Sequence, residues 1–220
     1  MYKTAFGIAA GLMASAASAQ VFDFGTPANT NVGPDETFTS GIYSVTASGY
    51  DASNADADLY VKNLGGDEIG LGLTADTSGQ NEIYSGQNGG PGGYIQLDVS
   101  QLLGIASGAT FSMDSTTLGE QWAVYGSNTD AAAGGTWVNG SLGLNDEGSH
   151  ALGGWGTYQY YNFFSLGTNG QAFGNVLLSS FAVTPSVPEP ATWAMMLLGF
   201  GAVGFAMRRN RKSMGLAQVA

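Results

Sequence analysis

Glycine and small polar residues interrupt the apolar runs of residues 20–187 before a helical period can be established. The chain carries 35 glycines in 220 residues. Short segments rich in aromatic and β-branched side chains recur between them, the pattern of strands closed by turns. The candidate strands are Gly41–Gly49, Asp58–Asn63, Gly70–Thr74, Tyr94–Val99, Thr110–Asp114, Gln121–Gly126, Thr136–Asn139, Thr157–Leu166 and Val176–Thr184. In Tyr94–Val99 the alternation is clean: Ile95, Leu97 and Val99 point one way, Gln96 and Asp98 the other. No stripe at a spacing of 3.6 residues appears before Ala191. This spacing predicts an all-β fold, an antiparallel β-sandwich of jelly-roll-like form. No internal repeat favours a propeller or a solenoid. The segments Gly86–Gly93 and Asp130–Gly135 read as flexible loops.

Both ends depart from that pattern. At the C-terminus Pro188-Glu189-Pro190 precedes an uncharged run, Ala191–Met207, which holds Trp193-Ala194 near its start. Arg208, Arg209, Arg211 and Lys212 follow. The two prolines bias their surroundings toward extended backbone. The run would measure roughly 25 Å as a helix, slightly short of a hydrocarbon core of about 30 Å. It is expected to form a single marginal transmembrane helix over 191–207, with the basic cluster 208–212 as its membrane stop. At the N-terminus Lys3 precedes the apolar stretch Ala5–Ala14, and Ala17-Ser18-Ala19 fits a small-x-small cleavage site. The expected mature chain begins at Gln20. The chain thus divides into a signal peptide (1–19), an exported β-sandwich domain (20–187), a C-terminal signal (188–212) and a short tail (213–220).

In order and in content, the C-terminal segment resembles the tripartite PEP-CTERM sorting signal of Gram-negative bacteria. The triplet, Trp193-Ala194, the apolar run and the basic cluster are its parts; the tail Ser213–Ala220 is longer than usual. The resemblance implies export, a transient inner-membrane anchor, and processing at the triplet by an exosortase-type membrane peptidase. It implies delivery to the cell surface or an extracellular polysaccharide matrix. The body stretches Gly65–Leu73, Asn81-Glu82-Ile83, Ile95–Ser100 and Trp122–Ser127 are also similar to exported bodies of PEP-CTERM proteins. Such segments share an ice-binding family label as well. No regular Thr-x-Thr array is present here, so that activity is not expected.

Charge and cysteine bound the chemistry. The body holds sixteen acids and one base, Lys62, for a formal charge of −15. Phosphate surfaces repel such a body, so nucleic acid is excluded as a partner. The chain has no cysteine, which removes disulfides, thiolate catalysis and thiolate metal sites. Asp51, Asn54, Asp56 and Asp58 place four oxygen-bearing side chains in one loop. They are the candidate ligands of a structural Ca2+, set against the reading of a plain polar turn. Asp67, Glu68 and Glu82 are a second such group. His150 is the single histidine, with Asp146 or Glu147 as partner in any triad. No Gly-x-Ser-x-Gly elbow accompanies it, and it reads as a solvent-exposed loop residue. Glu82 with Asp98, or Asp67 with Glu68, would be the carboxylate pairs of a glycosidase. Gly199-Phe-Gly201-Ala-Val-Gly204 fits a dinucleotide fingerprint but follows no strand and lies in the apolar run. The aromatic segment Tyr158–Phe164 reads as core. The reading as a whole is an exported protein without enzymatic activity; the alternative is a carbohydrate-binding or carbohydrate-active module on the same scaffold.

Overall fold

The computed structural model describes residues 18–75, 79–86, 92–116, 120–141, 146–167, 174–186 and 190–213. Fourteen strands are found among them, β1 (Gln20–Asp23), β2 (Thr30–Gly33), β3 (Asp35–Ser40), β4 (Tyr43–Tyr50), β5 (Leu59–Asn63), β6 (Ile69–Leu73), β7 (Ile83–Tyr84) and β8 (Tyr94–Asp98) coming first. Then follow β9 (Ala106–Asp114), β10 (Gln121–Ser127), β11 (Thr136–Gly140), β12 (Gly148–Ala151), β13 (Tyr160–Leu166) and β14 (Asn175–Pro185). They build two antiparallel sheets. Sheet one runs β12-β9-β14-β6-β5-β2, with β1 and β7 also paired to β14. Sheet two runs β11-β10-β13-β8-β4-β3. The all-β, two-sheet architecture expected from the strand spacing is present.

Alternation explains which side each sheet buries. Val45 and Ala47 of β4, Leu59 and Val61 of β5, Leu71 and Leu73 of β6, and Ile95 and Leu97 of β8 meet in one core. Phe111 and Met113 of β9, Trp122 and Val124 of β10, and Tyr161 and Phe163 of β13 complete it. Rings bridge the two sheets: Phe111 of sheet one packs edge-on against Trp122 and Phe163 of sheet two, each at 5.2 Å. Each such side chain contributes about 1.5–3 kcal/mol by leaving water, and this core stands in for absent disulfides. β14 is the organising strand. Along its length it pairs with β9, and its other edge meets β7, β6 and β1 in turn.

Residues 18–186 form one compact unit, and the C-terminal helix lies in another. That helix, α1 (Pro190–Ser213), starts one residue earlier than expected and ends six residues later. A proline is tolerated in a first helical turn, where its missing N–H would be unpaired anyway, so the triplet's second proline is helical. The expected transmembrane helix is corrected: among the described residues no helix is long and apolar enough to cross a membrane. The uncharged run is only Ala191–Met207, three glycines dilute it, and Arg208 continues the helix. Met195, Leu197, Leu198, Phe200, Phe205 and Met207 are nevertheless exposed on α1. The leader residues Met1–Ala17 lie outside the described residues, as do Pro188 and Glu189 and the tail from residue 214.

Candidate functional site

The outward face of β5 carries Tyr60 and Lys62, opposite in alternation to the buried Leu59 and Val61. Lys62 is the body's only base, yet its side chain is only 7% exposed. Two local features bring acids to it. The β5–β6 turn closes through Gly65 and Gly66, both at positive φ (84° and 60°), a geometry glycine adopts at no steric cost. That turn returns Glu68 beside Lys62, and the two form an ion pair. On the neighbouring strand, Gly72 leaves the sheet surface bare. A Cβ there would sit 2.1 Å from the Asn81 carbonyl oxygen, so only glycine lets the segment before β7 lie flat on the sheet. The segment delivers Glu82, 1% exposed, into an ion pair with the same ammonium.

Ser115 completes the cluster from the end of β9. Its hydroxyl donates to Glu82 Oε1 (3.2 Å) and Glu68 Oε1 (3.3 Å). Its backbone is left-handed at φ 59°, a conformation a serine holds only when its surroundings dictate it. The cluster opens onto a cleft of about 420 Å³ lined by Asn29, Tyr60, Lys62, Glu68, Gln80 and Asn81, among others.

Burial and pairing divide the two acids. Burial, opposed by Lys62, pushes the Glu82 carboxyl above the usual range. Glu68 is also partly buried, but Lys62 and a hydrogen bond with Glu82 hold it below that range. Burial works against the Lys62 ammonium; its two acids outweigh that and raise it. Of the two acids, Glu82 holds a proton the more readily and Glu68 stays ionised the more readily. Two acids sharing one site separate in this way because both cannot ionise cheaply. Nearby on the same sheet, Asp114 is raised to about 6, by burial first and then by Glu147 and Asp67.

The other outer face, on sheet two, holds a different device. Tyr50, Tyr94 and Phe164 stack across β4, β8 and β13 at 4.9 and 4.8 Å. Tyr125 of β10 meets Phe164 edge-on, and Trp137 of β11 meets Tyr125, both at 5.6 Å. Beside the row, Gln96 donates to Asn162 (2.9 Å). Asn162 in turn donates to the carbonyls of Ala132 and Gly134, each at 2.7 Å. The Ala131 N–H donates to Gln96 (3.2 Å). Two amides thus pin the loop between β10 and β11 over the aromatic row, and Trp137 at 46% exposure stays open at its edge.

The acidic loop 51–58 belongs to this cover. Asp51 Oδ1 accepts from Ser53 N (2.8 Å), Ser53 Oγ (2.7 Å) and Ala55 N (3.0 Å). Those bonds, the Ser53 hydroxyl's foremost, hold its carboxyl low. Asn54 donates to the Ala131 carbonyl (2.7 Å) and accepts from the Tyr94 hydroxyl. Asp56 bridges Tyr50 through its backbone, and Asp58 accepts from Asn31 (2.8 Å). The side chains of Asp51, Asn54 and Asp58 are thus committed to separate partners, and Asp56 enters only through its backbone. Among the described residues no three His, Asp or Glu side chains gather as a metal site.

Other expectations fall as follows. Glu82 and Asp98 lie on opposite sheets, and Asp98 accepts from the Ser100 N–H (2.8 Å). Of Asp67 and Glu68, only Glu68 enters the cluster. His150 is corrected from an exposed loop residue to one packed on strand β12. Its ring lies 4.7 Å from that of Trp122 and 5.5 Å from that of Phe111, and Asp146 is 3.8 Å away. The expected cleavage residue Ala17 is outside the described residues; Ala19 is described, and Gln20 opens β1. Ala194 and Arg208 lie on α1. What sequence reasoning missed is Lys62. Its signal was available: one base among sixteen acids, at an outward position of a strand, six residues before a glutamate across a Gly-Gly turn.

A family model described as the PEP-CTERM protein-sorting motif matches residues 186–212. The chain therefore carries a PEP-CTERM sorting signal, and the match begins where the compact β unit ends, at Ser186. No curated protein and no solved structure matches the chain.

Proposed function

We propose that the chain is an exported surface protein without enzymatic activity, whose β-sandwich is the delivered cargo and whose C-terminus is the address. The match of residues 186–212 to the sorting motif carries this reading. In it, the leader 1–19 directs export. An exosortase-type membrane peptidase then takes the chain at Pro188-Glu189-Pro190 and releases the body to the cell surface or matrix. The exposed apolar side chains of α1 are the part offered to that membrane enzyme, since an uncovered apolar surface of this kind calls for an apolar partner. Replacing Pro188, Glu189 and Pro190 by alanine should leave an untrimmed form, read by its larger size on blotting with an antibody to the body. A triple-alanine chain trimmed and released like the wild type would sink the reading.

A second reading, a carbohydrate-binding module, draws on Trp137 and Tyr125 at the open edge of sheet two. Aromatic faces stack on sugar rings, but the neighbouring Tyr50, Tyr94 and Phe164 are covered. A glycan array probed with the wild type and with Trp137→Ala tests it; binding unchanged by the substitution counts against this surface.

A further inference from the structure

We propose that Lys62 and Glu82 condense to an intramolecular amide, a covalent strut joining β5 to the segment ahead of β7. The chemistry requires a primary amine in contact with a carboxyl group, a second carboxyl to carry protons, shelter from bulk water, and a way out for the water formed. All four are present. The amine of Lys62 touches the Glu82 carboxyl, which is buried. Glu68 touches the same amine from the cleft side. Ser115 fixes both carboxyls from a left-handed backbone. The cleft leads to solvent.

The step balances without a co-reactant. Glu68 takes one proton from the ammonium, freeing a lone pair on Nζ. Nζ attacks Cδ of the neutral Glu82 carboxyl, so the Nζ–Cδ bond forms. The Cδ–O bond then breaks, and the hydroxyl leaves as water with a second ammonium proton. One hydrogen stays on the amide nitrogen, and Glu68 ends protonated. The ammonium is stabilised where it sits, so the step is slow. It needs to occur only once per chain, and proximity supplies much of the rate. The division of the two acids favours it, since Glu82, the acceptor, is the more readily protonated and Glu68, the base, the more readily ionised. A cysteine-free exported chain gains from it the loop closure that disulfides give other secreted domains.

The test is unusually clean, because Lys62 is the only lysine or arginine between Lys3 and Arg208. The full-length precursor, purified before any processing, denatured and digested with trypsin, should keep residues 4–208 as one piece, lighter than its sequence mass by one water. An acylated lysine is not a trypsin site. Lys62→Arg, whose guanidinium does not condense, should be cut at position 62 and show full mass. Glu82→Ala should do the same, and Glu68→Gln should slow the loss of water at least tenfold. Cleavage of the denatured wild type after Lys62, at full mass, overturns the proposal whatever the variants do. Loss of water that persists in Glu82→Ala would overturn Glu82 as the acceptor.

Discussion

The two outer faces of the sandwich both tuck polar side chains under a covering segment, and they do so with opposite chemistry. On sheet two the buried groups are the amides of Gln96 and Asn162, and neutral hydrogen bonds fix a loop above them. On sheet one they are titratable groups, the Lys62 amine against the Glu68 and Glu82 carboxyls. Trimming a neutral network costs about 1–3 kcal/mol for the group it orphans. A buried ion pair costs several kcal/mol to desolvate, and removing one partner strands the other. The face that stabilises least per contact is therefore the one that breaks worst.

The largest expected effect follows directly. Lys62→Met leaves Glu82 and Glu68 without the one group that partners both and should destabilise the domain by about 3–5 kcal/mol, measured by urea unfolding. A loss below about 1 kcal/mol would show that water already reaches Glu82, and the contrast between faces would collapse. Asn162→Ala removes the hub of the opposite face and should cost about 1–3 kcal/mol. Faster amide exchange at Ala131 should accompany it, since that N–H is held by Gln96.

Nine of the fourteen strands were legible in the sequence, from aromatic and β-branched runs closed by turn residues; β1, β2, β3, β7 and β12 were not. β1 and β3 each bury a single large residue, Phe22 and Phe38, and β12 is the four-residue segment Gly-Ser-His-Ala. Such segments become strands only because a neighbour offers an open edge. The site was half legible. Glu68 and Glu82 stood out as acids in turn-rich stretches. Their convergence on Lys62 depends on a chain crossing over Gly72, which no local pattern announces. The acidic loop at 51–58 misled for the converse reason: oxygen-rich composition is the same whether the oxygens face a cation or backbone N–H groups.

Titration should separate the faces further. Asp114, on sheet one, binds its proton more tightly folded (about 6) than unfolded (about 3.9). Between these values the folded state holds more protons, so stability falls as pH rises through the window. Partial exposure discounts the effect to on the order of 1–2 kcal/mol. Asp114→Asn should flatten the slope between pH 4 and about 6 and raise stability at pH 7. A slope unchanged by the substitution would place the titration elsewhere. The amide network of sheet two should show no such slope. Smallest of all, Trp137→Ala should shift stability by less than about 1 kcal/mol, since its ring is nearly half open to water. A larger loss would mean that the aromatic row is a second core rather than a surface.

One consequence of β14 concerns time. It is the last strand of the domain and the middle of sheet one, bordered by β9 on one edge and by β7, β6 and β1 on the other. β1, first in the chain, pairs Gln20 with Val183. A chain threaded through a membrane N-terminus first therefore cannot finish that sheet on the way. Its opening strand waits for a partner that emerges some 160 residues later, just ahead of the sorting signal. Sheet one therefore closes only once β14, the last strand of the unit, is available.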